Sequence, residues 1–289
     1  MVKRSVVFLL ISCTYSWGLF YALRMGGLIG ETFKAGDVIY LFAYMFGPAI
    51  GALVTAMMFD RGALKKMLGL RFMPSLWWLV AILVPALAIL AATWLSPFFN
   101  GVETQSYADG IRPVLESQLG EEQAATALDS MPPFLVVLLL SALTGALING
   151  IATLSEELGW RGYLWSVFRP GGFWSAALFT GLAWGLWHAP IIVHGHNYPG
   201  EPVLGPIMMV GFCLMLSPWM GYLRDRSGSV FAGSIFHGVL NAVAPMTLFV
   251  LVTDDVFLRG IVGIPGLIVM VLMTVPLFFL PKKVHDAAH

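Results

Sequence analysis

Eight apolar segments divide this chain from end to end, each close to the length that crosses a hydrocarbon core of about 30 Å. They fall at roughly 5–23, 38–58, 76–95, 133–152, 173–193, 203–223, 230–252 and 260–280. Lipid offers no partners to backbone N–H and C=O groups, so each segment must satisfy its own as a helix. Charge agrees: only 11% of the 289 residues are charged, where a soluble domain carries about 25%. The expected fold class is therefore all-α, a polytopic membrane protein with about eight transmembrane helices. Residues 1–289 read as a single membrane domain without internal repeats.

The connections set the expected orientation. With a cytoplasmic N-terminus, the inner side collects Lys3, Arg4, Arg61, Lys65, Lys66, Arg71, Arg161, Arg169, Arg224, Arg226, Lys282 and Lys283. The outer side keeps Arg24, Lys34, Arg112 and Arg259. Basic residues favour the cytoplasmic side, so a multi-pass protein with both termini in the cytoplasm is expected. Lys3 and Arg4 ahead of the first apolar run also suit a signal peptide. However, that run is long for one and no small-residue cleavage site follows it, so it is read as a retained helix. A net charge of zero gives no hint of nucleic acid as a partner; the bilayer is the expected one. Cys13 and Cys213 sit in apolar runs and read as small hydrophobes. The acidic stretch 100–132 is expected to be a solvated outer connector with a short helix starting near Glu121.

Within this apolar chain the run from Ser155 to Trp165 is unusual. It sets Glu156, Glu157 and Arg161 side by side, and ionisable groups at membrane depth are costly enough to mark a functional site. On a helix Glu157 and Arg161 stand at i and i+4 and pair. Glu156 is turned about 100° away and has no local partner. One carboxylate is expected to be held by the arginine, the other to point into a cavity.

Two later helices add polar groups. The fifth segment carries Trp184 and, one turn on, His188, with Pro190 loosening the helix beyond. Trp184 is placed to stack on His188 or to screen it from lipid. The seventh carries His237 and Asn241 at i and i+4, on one face. Facing lipid each of these would be costly, so all are expected to share one intramembrane polar cavity, opening towards the cytoplasm.

Glu-Glu-x-x-x-Arg, then aromatic-x-x-x-His, then His-x-x-x-Asn, in that order on separate membrane helices, resembles the CPBP family. These are intramembrane proteases related to the CAAX-processing endoprotease and to bacteriocin-processing and self-immunity proteins. The resemblance covers roughly 133–252, which marks a catalytic core inside the single domain; residues 1–132 carry no motif of the family. Phenylalanine is more usual where this chain has Trp184, a change read as mild. The resemblance implies an endopeptidase of the prokaryotic cell membrane acting on a membrane-associated or prenylated-type peptide or protein. It implies catalytic roles for Glu156, His188, His237 and Asn241, with Glu157, Arg161 and Trp184 in support.

That chemistry is coherent. Hydrolysis of a peptide bond needs a base for water and donors for the oxyanion. Glu156 with His188 suits the first need, and Asn241 with His237 the second. Glu156, His188 and His237 would also supply three ligands to a catalytic zinc, although a metal-free water is the favoured reading. Two other classes use the same residues: an ion- or proton-coupled transporter, against which the chain lacks paired broken-helix repeats, and a catalytically silent immunity or scaffold protein.

Overall fold

The computed structural model describes residues 1–30 and 35–281, and Lys34, Lys282 and Lys283 lie outside them. The architecture is all-α, as the apolar segments require. Among the described residues six helices are long and apolar enough to cross a membrane. The segments expected at 173–193 and 260–280 also fold as apolar helices, but shorter ones.

The first two helices, α1 (Val2–Met25) and α2 (Val38–Phe59), form a closely packed hairpin. Their contact is close because Gly47 and Gly51 of α2 lie against Ser16 and Ser12 of α1. Ser16 seals it by donating to the Tyr44 carbonyl at 2.8 Å. A short α3 (Leu64–Leu68) caps the end carrying Arg61, Lys65, Lys66 and Arg71, before α4 (Leu76–Leu95) returns across the molecule.

The acidic connector holds two helices rather than one, α5 (Tyr107–Leu119) and α6 (Glu121–Asp129). A two-residue ribbon pairs Glu103 with Val252 and Thr104 with Leu251, which anchors the connector to the segment after the seventh span. The nearby Gln105 backbone N–H donates to the Val250 carbonyl at 3.1 Å.

The fourth span departs most from expectation. It does not end near residue 152 but runs on as α7 (Phe134–Gly171), 38 residues long. Two π-helical stretches interrupt its α-helical ladder, Gly145–Asn149 and Leu158–Leu164, and they bracket Glu156 and Glu157. Such π turns re-aim the side chains that follow and recur at functional sites. Gly172, at φ +113°, takes the left-handed backbone that reverses the chain into α8 (Phe173–Trp187). Glu156 and His188 each lie about fifteen residues from that turn. At ~1.5 Å per residue they therefore sit level in an antiparallel hairpin.

Pro190 cannot donate to the Leu186 carbonyl, so α8 stops at His188 and resumes as the single turn α9 (Ala189–Val193). The remaining helices are α10 (Leu204–Ser227), α11 (Val230–Val243) and α12 (Ile264–Thr274). α11 packs on the first π turn of α7, with Gly238 lying against the Gly145 carbonyl. Thr153 donates to the Ser234 carbonyl at 2.9 Å, and Ser234 donates to the Gly150 carbonyl. These bonds set the relative height of the two helices, which brings Glu157 to His237. At the Gly171 end, Asp225 accepts from Trp165 at 2.9 Å and from Arg169 at 2.6 Å, holding α10 to the α7–α8 turn.

Candidate functional site

Glu157 is completely buried, and its Oε1 accepts from Arg161 Nη1 at 3.2 Å. This is the i, i+4 pair expected from the sequence. The same oxygen lies 3.0 Å from Nδ1 of His237, so this carboxylate also orients the first residue of the His-x-x-x-Asn pair. Arg161 is fully buried too. It was counted among the cytoplasmic basic residues, but it belongs to the core.

Glu156 turns the other way. Its Oε2 accepts from the indole N–H of Trp184 at 2.9 Å, and its side chain lines a cavity of about 640 Å³. His188, His237 and Asn241 line the same cavity. The sequence-predicted residues from three helices are therefore brought together, while Glu157 and Arg161 stand behind the wall. Trp184 is 1% exposed and does more than stack: it touches Glu156, both histidines and Arg161.

Hydrogen-bond partners fix which atom of each histidine meets the cavity. His188 Nδ1 lies 2.8 Å from the Trp184 carbonyl. A carbonyl only accepts, so Nδ1 carries a proton and the neutral ring presents the lone pair of Nε2. His237 offers Nε2 likewise, with Nδ1 against the Glu157 carboxylate.

Two contributions from the N-terminal hairpin carry no sequence signal. Where α8 breaks, the Trp187 carbonyl accepts from Tyr44 Oη at 2.5 Å and from Trp17 Nε1 at 3.0 Å. Both bonds hold the backbone next to His188. Asn149 and His196 also line the cavity and were not anticipated. The π turn ending at Asn149 is what aims that residue inward, and such turns leave no mark in hydrophobic periodicity.

The cavity runs from Glu156 towards the end of the molecule formed by residues 196–199, 244–248 and 259–262. Phe42, Asn197, Pro199, Asn241 and Leu248 line it and are exposed, which marks its mouth. The basic residues Arg61, Lys65, Lys66, Arg71, Arg169, Arg224 and Arg226 lie at the opposite end. An opening towards the cytoplasm and cytoplasmic termini were both expected, and this geometry makes them mutually exclusive.

Among the described residues no three His, Cys, Asp or Glu side chains come together as a metal-holding group. Glu156, His188 and His237 share the cavity without forming one; each is held by a protein partner through one polar atom and keeps its other, an arrangement usual for ligating imidazoles as well as for metal-free ones.

Comparison with known proteins gives two findings. Residues 130–243 match the model of a family described as type II CAAX prenyl endopeptidase Rce1-like. A CAAX prenyl protease 2 from Methanococcus maripaludis is 26% identical over 184 residues, covering 61% of this chain and 56% of that protein. The matched stretch thus spans little more than half of that relative's length.

Proposed function

We propose that the chain is an intramembrane endopeptidase of the CPBP type, hydrolysing a peptide bond of a membrane-associated substrate, a reading supported by the match of residues 130–243 to the Rce1-like family model. The observation that carries this reading is the convergence of Glu156, His188, His237 and Asn241 on one cavity whose other walls are largely apolar. Leu41, Met45, Met209, Phe212 and Leu240 supply that apolar lining. It suits a substrate bearing a hydrocarbon segment, including a prenylated one.

In the proposed reaction a water lies between Glu156 and His188. Glu156 takes one proton from it while the neutral Nε2 of His188 accepts a hydrogen bond from the other. The hydroxyl adds to the substrate carbonyl carbon, and the oxygen of that carbonyl becomes an oxyanion. Asn241 donates to it through its side-chain amide. His237, held at Nδ1 by the Glu157 carboxylate, can donate to it through Nε2 when that nitrogen carries a proton. Collapse of the intermediate breaks the C–N bond, and Glu156 returns its proton to the leaving amine. No step requires a metal ion.

Residues 133–252 form the catalytic core of a single membrane domain in this reading, and the basic residues favour a cytoplasmic position for the far end. The mouth then faces away from the cytoplasm, and substrate enters from that side or from within the bilayer.

The test is a cleavage assay in liposomes containing the purified protein, with membrane-inserted peptides carrying or lacking a prenyl group. Cleavage by the intact protein and none by a folded Glu156→Gln variant is the expected result. Equal cleavage by both refutes the mechanism, and solute uptake that depends on Glu156 without cleavage establishes a transporter instead.

A further inference from the structure

The Glu156 side chain has one hydrogen-bond partner among the described residues, and it is not a charged group. It is the indole N–H of Trp184, 2.9 Å from Oε2. The same tryptophan meets His188 through its backbone, where the Trp184 carbonyl binds Nδ1 at 2.8 Å. One residue thus touches both groups assigned to the water, the carboxylate through its side chain and the imidazole through its main chain.

Trp184 is itself immobilised. The Arg161 guanidinium stands 4.2 Å from its ring centroid, and the His237 ring packs edge-on at 5.2 Å and 72°. Arg161 is held in turn by Glu157. Buried aromatic contacts of these kinds leave the indole one orientation. The charged pair behind the wall is therefore connected to Glu156 through the face and edge of a single ring.

We propose that Trp184 is a positioning residue that fixes the Glu156 carboxylate, presenting Oε1 to the water while Oε2 is held back. This rests on the endopeptidase reading for its catalytic consequence but not for the hydrogen bond. A phenylalanine here would preserve the aromatic packing and lose the donor. The change from phenylalanine, read from the sequence as mild, alters the chemistry of the site. Because the carboxylate would otherwise rotate between several staggered conformers, losing the bond lowers the fraction of enzyme ready to activate water.

Two arms test this. In the first, uniformly ¹⁵N-labelled protein in detergent gives an indole N–H resonance for Trp184, assigned by its loss in Trp184→Phe. Glu156→Ala is expected to shift that resonance upfield as the bond is lost. A resonance indifferent to Glu156→Ala overturns the proposal. In the second, Trp184 is replaced by 3-benzothienylalanine, which keeps the bicyclic shape and has sulfur in place of N–H. A hydrogen bond to a charged group contributes enough that kcat is expected to fall roughly tenfold to a hundredfold with KM unchanged. A merely structural role would leave this isosteric variant as active as the parent, and that result also overturns the proposal. If the parent protein cleaves nothing while the resonance responds to Glu156→Ala, the endopeptidase reading fails and the Trp184–Glu156 coupling stands.

Discussion

Glu156 and Glu157 are adjacent in sequence and serve opposite sides of one helix wall. Glu157 is held between Arg161 and His237 with no exposed surface, whereas Glu156 reaches the cavity and is held by Trp184. The angle between successive helical residues is sufficient to separate them. Their substitutions should therefore differ in kind. Glu156→Gln should unfold in detergent close to the parent protein and show no cleavage. Glu157→Ala leaves the Arg161 charge buried without its partner and should lose about 3–5 kcal/mol. Replacing both as Glu157→Leu with Arg161→Met should recover much of that loss, because no lone buried charge remains. Unfolding followed by circular dichroism checks all three.

Asn241 lines the cavity and is exposed, and its side chain has no hydrogen-bond partner among the described residues. Asn241→Ala should therefore leave stability unchanged. As the loss of one oxyanion donor, it should reduce kcat by about 10²–10³. A variant that loses stability instead would show that Asn241 acts in packing.

The Trp187 carbonyl has two side-chain donors, Tyr44 and Trp17. Removing one leaves the other, so Tyr44→Phe and Trp17→Phe should each lower kcat only slightly. The double variant strands a carbonyl beside His188, a loss costing about 1–3 kcal/mol. Its kcat should fall by more than the product of the single effects. A strictly multiplicative result would count against a shared role in holding His188.

Orientation is open to a direct measurement. Reporter fusions at Lys66 and between α5 and α6 should give opposite signals, the first cytoplasmic. Like signals from both would contradict the assignment of the spans. A cytoplasmic signal from the α5–α6 reporter alone would reverse the protein and turn the cavity mouth inward.

Much of the site was legible because helical spacing is. Glu157 and Arg161 at i, i+4, and His237 and Asn241 at i, i+4, are faces that one dimension of sequence encodes. The cost of polar groups in lipid then requires those faces to meet. What stayed hidden depends on contacts between distant segments. No periodicity reveals that Tyr44 and Trp17 reach the carbonyl before His188, since 143 and 170 residues separate each pair. Nor do the π turns of α7 announce themselves, because an extra residue per turn looks like an ordinary apolar run. Ending the fourth span at residue 152 leaves Glu156 outside it and gives its depth no reference. Continuing it to Gly171 makes Glu156 and His188 level.

The bonds from Tyr44 and Trp17 also bear on how the protein is made. The N-terminal hairpin emerges from the ribosome more than a hundred residues before the carbonyl it will hold, and α11 with His237 and Asn241 emerges later still. While the intervening helices are being inserted, the Tyr44 hydroxyl and the Trp17 indole must find other company, in water or with neighbouring backbone. The order of synthesis thus makes the hairpin a waiting template, and the site is completed only when α8 folds back onto α1 and α2. A fragment confined to residues 130–243 would carry all four proposed catalytic side chains and still lack the groups that keep His188 in place.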